Sequence, residues 1–249
     1  MDMIIINADD CGISKSVDNE IEKYIQQGKI TSTTIMANMD DFEGACLLYA
    51  KYKDVISFGA HLNLTEGKPL TDANSLLEIG LAERSDDGII YFCGNKLRKY
   101  HFNRYQREII YNELDAQISK IINAGIEISH IDSHHHIHTD FWILVEVLKL
   151  AKKYNIRKIR AMNNYGHKGI SSFLRKCWRV IVHCLYPSVT MTDYFTSYTL
   201  YIRNQNQQDK SKGSIELMTH PGGYDDAESK IMSSNKPTFN SSLITYKEL

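Results

Sequence analysis

Five of the ten histidines in this chain fall within nine residues, His130-Ile131-Asp132-Ser133-His134-His135-His136-Ile137-His138. Imidazoles this dense need partners when buried, and the neutral ring is a common metal ligand. Along an extended chain His130, Asp132 and His134 point to one side, Ser133 and His135 to the other. They cannot all hold one ion, so some must orient a ligand or contact a bound molecule. The acidic pair Asp9-Asp10 adds complementary chemistry. Adjacent carboxylates leaving a strand diverge, so one can hold a cation while the other accepts a proton. His61, alone in the apolar Gly59-Ala60-His61-Leu62, and His220, ahead of the tight turn Pro221-Gly222-Gly223, are the other candidate imidazoles.

These residues are far apart in sequence, so secondary structure must gather them. Strands are predicted over 3–8, 30–37, 55–64, 126–133, 156–162 and 214–219, with two short ones in 190–203. Helices are predicted from the Ser14 cap to Gly28, from Asp40 or Asp41 to Tyr52, and over 104–124, 141–154 and 170–185. The helix over 104–124 is the clearest, with Ile110, Leu114, Ile118 and Ile121 on one face. Asp9, Asp10, His61, His134, His135, His136, His138, Arg160 and His220 all fall at the carboxyl ends of predicted strands. In a β/α barrel those ends share one face. The first strand lacks the glycine-rich turn of a dinucleotide fold, so a single-domain α/β chain with a distorted or incomplete TIM-like barrel is expected. Residues 68–103 show little periodicity beyond a short strand at 89–93, and read as an insertion or flap at one end of the barrel.

Composition narrows the partners. The chain has 249 residues, 29 basic against 30 acidic, and 43% of its residues are apolar. Near-zero net charge gives no electrostatic case for nucleic acid or an anionic membrane. No apolar run approaches the ~18 residues of a membrane span, and the amino-terminal stretch lacks a signal-peptide pattern. Cys11, Cys46, Cys93, Cys177 and Cys184 form no CxxC pair and read as reduced thiols of a cytoplasmic protein. No coiled coil announces an oligomer; a homodimer is compatible with the sequence.

Several ordered segments carry a family resemblance: Asn7-Ala8-Asp9-Asp10-Cys11-Gly12, Thr31-Ser32-Thr33-Thr34, His61 to Leu70, His130 to His138, and His220-Pro221-Gly222. Together they resemble the YdjC-like carbohydrate deacetylases, over about residues 4 to 226. The resemblance implies a distorted β/α barrel that removes acetyl groups from N-acetylated sugars such as N-acetylglucosamine units. It implies one divalent metal ion held by Asp10, His61 and His134; Mg²⁺ and Zn²⁺ both suit these ligands, and His138 is a reserve ligand because the end of the histidine run can curl back as a turn begins. Asp9 takes the place of a general base, His220 that of a general acid, and Arg160 that of an arginine beside the base. Cys11 departs from the family, which usually has Phe there. Tyr91, Tyr165 and Tyr224 are candidate sugar-stacking faces by location. Two other readings stay open: a barrel metal hydrolase of phosphoesterase or amidohydrolase type, which favours two ions, and a sugar-binding relative without catalysis.

Overall fold

The computed structural model describes residues 3–94, 101–166, 169–204, 213–222, 231 and 242–249. Six parallel strands form one curled sheet: β1 (Met3–Cys11), β2 (Ser32–Ile35), β3 (Ser57–Leu62), β6 (Ile131–Ser133), β7 (Tyr194–Ser197) and β8 (Ser214–Thr219). Their order is β6-β3-β2-β1-β8-β7, and the short β9 (Ser242–Leu243) pairs with the start of β1. The two edge strands face each other across residues 158–164. Ile159 bridges to Ile131 and Lys158 to Thr190, while Asn164 bonds to the backbone of Phe195. The ring is therefore a barrel with an irregular seam.

Parallel strands covered on both faces read as continuous apolar runs, and Ile4-Ile5-Ile6 in β1 is such a run, fully buried. Helices pack outside. α1 (Lys15–Gln26) starts where the Ser14 side chain accepts the Val17 amide, and buries Ile21, Tyr24 and Ile25. α2 (Phe42–Tyr52) lies beside it. α4 (Arg104–Asn123) opens with a reciprocal cap between Asn103 and Gln106, which satisfies two otherwise unpaired amides. It buries the four predicted isoleucine and leucine positions. α5 (Phe141–Lys153) and α6 (Gly169–Leu185) match the predicted helices to within two residues.

Four local expectations are corrected. β1 does not stop at Ala8 but runs through Cys11, because a bulge absorbs the acidic pair between the Ala8 and Cys11 pairings. Residues 156–162 form only single bridges, Ile159 to Ile131 and Lys158 to Thr190, because no run of consecutive partners lies in register along the seam. In 190–203 only β7 is a strand; the second expected strand is α7 (Tyr198–Arg203), capped by the Ser197 hydroxyl. Residues 68–103 contain α3 (Ala73–Glu78), too short to show a period, and the hairpin β4 (Ala82–Arg84) with β5 (Ile90–Phe92). Leu76, Leu81, Phe92 and Phe102 of this segment are buried in the main core, and residues 95–100 lie outside the described residues.

Candidate active site at the carboxyl ends of the strands

Strand register brings the candidates level. Ala8 pairs with Thr33 and Thr219, so Asp9, Thr34 and His220 leave the sheet together. His61 pairs with Asp132, so the histidine run starts at the same height. The bulge in β1 puts Asp10 at φ 67°, a left-handed conformation uncommon for a residue with a side chain. Its effect is to bring both carboxylates of the pair beside His61 rather than to opposite faces.

Asp10 Oδ1 lies 3.2 Å from His61 Nε2 and 2.9 Å from His134 Nδ1. These three side chains are one of the groups of potential ligating atoms among the described residues. Ligand atoms ~2.1 Å from an ion and at right angles to one another sit about 3.0 Å apart, so the spacing fits a hard divalent cation. The donor set, two imidazoles and a carboxylate, suits zinc as well and leaves coordination positions open.

Each element of the cluster is held from behind. Asp132 Oδ1 bonds to His61 Nδ1 at 2.7 Å, which presents Nε2 to Asp10. Thr34 Oγ1 donates to Asp132 Oδ2 at 3.0 Å. Burial alone would push His61 down, but the Asp132 charge and the bonds to Asp10 and Asp132 lift it to about 10. Burial likewise opposes ionisation of Asp10, yet hydrogen bonds from His134 and His61 hold it well below the usual carboxylate range. Glu66 Oε1 approaches His134 Nε2 at 3.5 Å and His135 Nε2 at 3.9 Å.

Asp9 is buried beside this cluster. Arg160 Nη1 and Nη2 each donate to one of its oxygens at 2.7 Å, a bidentate pair, and Asn7 Nδ2 donates to Oδ1 at 2.8 Å. Burial raises the Asp9 carboxyl, and the Arg160 charge and bonds more than reverse this, holding it well below its ordinary value. The His220 imidazole lies close enough to contribute to the same lowering. Arg160 is fully buried and also meets Asp132 Oδ2 at 2.8 Å and, through Nε, Glu216 Oε1 at 2.7 Å. Burial pushes Glu216 up to about 7, against the opposing pull of Arg160 and Tyr246.

The histidine run does not continue as a strand. It folds into a 3-10 turn over His134–Thr139, with His135 at φ 51° and His136 at φ 55°. This kink corrects the reserve assignment. It turns His138 into the core, where Nδ1 bonds to Ser133 Oγ and the ring packs near Trp178, away from Asp10. His136 borders a cavity of about 180 Å³ together with Thr65, Gly94, His135, Thr139 and Asp140. Burial lowers His136 to about 4, so it stays neutral. His130 stacks on Tyr246 at the far end of the barrel.

Of the aromatic candidates, Tyr165 packs against Tyr194 and Tyr201, and Tyr91 lies under the Lys68 ammonium. Neither lines the cavity, and Tyr224 lies outside the described residues. Cys11 is buried, and burial pushes its thiol well up, so it stays protonated. The sequence assigns no individual role to Asn7, Thr34, Glu216 or Glu66, and gives Asp132 only the general one of a residue in the histidine run that can orient a ligand. Asn7, Thr34, Asp132 and Glu216 are buried polar groups within strands, and Asn7 and Glu216 interrupt mainly apolar runs.

A curled parallel barrel with a carboxylate–imidazole cluster at its strand ends defines the class. The sequence profile of the YdjC-like proteins matches residues 3–248, and the chain belongs to that family. A Clostridium beijerinckii protein named carbohydrate deacetylase is 32% identical, covering 93% of this chain and 85% of that relative. A Listeria monocytogenes relative of the same name is 31% identical over 99% of this chain and 92% of its own length. With a Brevibacillus brevis carbohydrate deacetylase, identity is 38%, but the match spans 61% of this chain and only 57% of that protein. Among crystal structures, an Enterococcus faecalis V583 protein described in terms of cellobiose-phosphate cleavage superposes with a TM-score of 0.76 at 24% identity. It covers 99% of this chain and 98% of its own, which supports the fold. No helix of the described residues is long and apolar enough to cross a membrane.

Proposed function

We propose that this chain is a metal-dependent hydrolase that removes acetyl groups from N-acetylated sugars, with N-acetylglucosamine units as the substrate class. The observation that carries the reading is the convergence of Asp10, His61 and His134 on one point, with the Arg160-clamped Asp9 beside it. The names of the relatives supply the acetylated sugar. The five cysteines, all free of disulfides, support a reducing compartment such as the cytoplasm.

Asp10 Oδ1, His61 Nε2 and His134 Nδ1 would hold one divalent ion, Mg²⁺ or Zn²⁺. When bound, such an ion supplies Lewis acidity toward a water and the acetyl carbonyl. Asp132 fixes the His61 tautomer with its proton on Nδ1, which leaves the Nε2 lone pair free to ligate. Asp9 takes the proton of the attacking water at a carboxylate oxygen. Arg160 keeps that carboxylate ionised and fixes its plane. His220 delivers a proton to the departing sugar nitrogen, because an amide anion is a very poor leaving group. The cavity bordered by His135, His136 and Thr65 receives the sugar beside the ion. Acetate release from N-acetylglucosamine monomers and oligomers, with and without added metal, tests the reading. A metal-loaded protein with intact fold and no release across that panel would refute it.

A two-ion hydrolase is the second reading, favoured by the group Glu66, His134 and His135, which adjoins the first and shares His134. The metal-to-protein ratio separates the readings, one ion against two.

A further inference from the structure

Glu216 lies in the middle of β8, between the buried Ile215 and Leu217, where a parallel strand ordinarily carries apolar side chains. Its Oε1 accepts from Arg160 Nε at 2.7 Å, and its Oε2 accepts from the Tyr246 hydroxyl. The Tyr246 ring is fixed in turn. It stacks on His130 with centroids 3.5 Å apart and planes 10° apart, and its carbonyl accepts from Lys158 Nζ. Glu216, Tyr246, His130 and Arg160 are all fully buried. Tyr246 packs with Ile5 and Ile244, near the amino-terminal ends of the strands, so it lies on the floor of the barrel, away from the substrate side.

A guanidinium is planar, so fixing Nε fixes the direction in which Nη1 and Nη2 point. Those two nitrogens hold both oxygens of Asp9. The Arg160 backbone sits on the seam, which is joined by single bridges instead of a ladder. Its side-chain partners therefore carry more of the task of orienting it. We propose that Tyr246 and Glu216 are positioning residues that set the plane of the Arg160 guanidinium from the floor of the barrel, and through it the direction of the Asp9 carboxylate.

The inference rests on the reading of Asp9 as the base, so the test includes that residue. Tyr246→Phe, Glu216→Gln, Asp9→Asn and the double variant Asp9→Asn/Tyr246→Phe are compared with wild type. Acetate release at saturating metal, KM, metal affinity by calorimetry and melting temperature are measured for each. Tyr246→Phe and Glu216→Gln should lower kcat about tenfold, the loss of one well-placed hydrogen bond to a charged network. KM and metal affinity should stay within twofold. In the Asp9→Asn background, Tyr246→Phe should lower the residual rate no further. A crystal structure of Tyr246→Phe should show the guanidinium rotated off its two-point contact with Asp9, a readout independent of the substrate chosen.

An unmoved Arg160–Asp9 pair overturns the inference. So does wild-type kcat in both Tyr246→Phe and Glu216→Gln while Asp9→Asn is inactive, an outcome that leaves the base reading standing. A further tenfold loss in the double variant also overturns it, because Tyr246 would then act other than through Asp9. Wild-type turnover in Asp9→Asn removes the base reading itself and this inference with it. If Glu216→Gln melts below the assay temperature, Tyr246→Phe, which removes one oxygen, decides alone.

Discussion

Replacing Asp132 with asparagine isolates one negative charge at nearly constant shape. The carboxylate serves two donors on opposite sides, with Oδ1 at 2.7 Å from His61 Nδ1 and Oδ2 at 2.8 Å from Arg160 Nη2. An amide has one acceptor oxygen and one NH₂, so it can serve only one of these. With its oxygen toward His61, the NH₂ meets the donor Arg160 Nη2. With its oxygen toward Arg160, the NH₂ makes His61 Nδ1 an acceptor, and the imidazole proton moves to Nε2, where it blocks ligation. Either orientation weakens the cation site. Loss of a partner behind a metal ligand typically costs 10–100-fold in affinity, or about 1.4–2.7 kcal/mol. Calorimetric titration of apo Asp132→Asn with Zn²⁺ or Mg²⁺ should give a Kd raised by that factor, and excess metal should recover part of the deacetylation rate. A Kd within twofold of wild type, with the fold intact, would refute the assignment of His61 Nε2 as a ligand held by Asp132.

Asp9→Asn should keep the ion and lower turnover ~10²–10⁴-fold, whereas Asp10→Asn should lose affinity and respond to added metal. Bound metal and acetate release, followed together, check both, and the reverse pattern would exchange the two roles. Because burial fails to lower His61 and its carboxylate partners lift it to about 10, an ion must displace a proton from it. Metal affinity should therefore rise with pH, with net proton release visible as buffer-dependent heats of binding. Asp18 is pushed up to about 7 by burial, helped by the Asp41 charge and opposed by the Gly12 amide at 2.7 Å. Its folded value lies above that of an unfolded chain, so its contribution is full below about pH 4 and is lost as pH rises through about 7. Asp18→Asn should thus raise the melting temperature by several degrees at pH 8 and by less at pH 5, read by scanning calorimetry.

The barrel and the level of the site were legible because apolar strands and one-faced helices leave strong periodic traces. Ile4-Ile5-Ile6 and the Ile110 to Ile121 face are examples. The carboxyl-end rule then brought Asp9, Asp10, His61, His134, Arg160 and His220 to one end without any long-range information. What the sequence concealed was local direction. Nothing in Asp9-Asp10 announces a bulge, because Asp10 is not a glycine and its positive φ is imposed by pairing on both sides of β1. The kink at His135 and His136 was equally silent, and it decides that His134 meets Asp10 while His138 does not. Asp132 and Glu216 were visible as charges within predicted strands, yet their partners, Arg160 and Tyr246, come from other parts of the chain. Alternation can flag such a residue but cannot name what it touches.

The position of β1 in the sheet has a consequence for biosynthesis. It is made before every other described strand of this chain, and one of its neighbours, β8, pairs Met3 with Ser214. At ~5–20 residues per second, the roughly 200 residues between them take about 10–40 s to be made. Through that interval an Ile-Ile-Ile strand has an unpaired edge and the Asp9 carboxylate lacks both Glu216 and Tyr246 behind its arginine. Such a nascent chain is a natural client for a chaperone that shields apolar strands. Slowing translation anywhere between β1 and β8 should lower the yield of folded enzyme, because it lengthens the interval in which β1 waits for its partner.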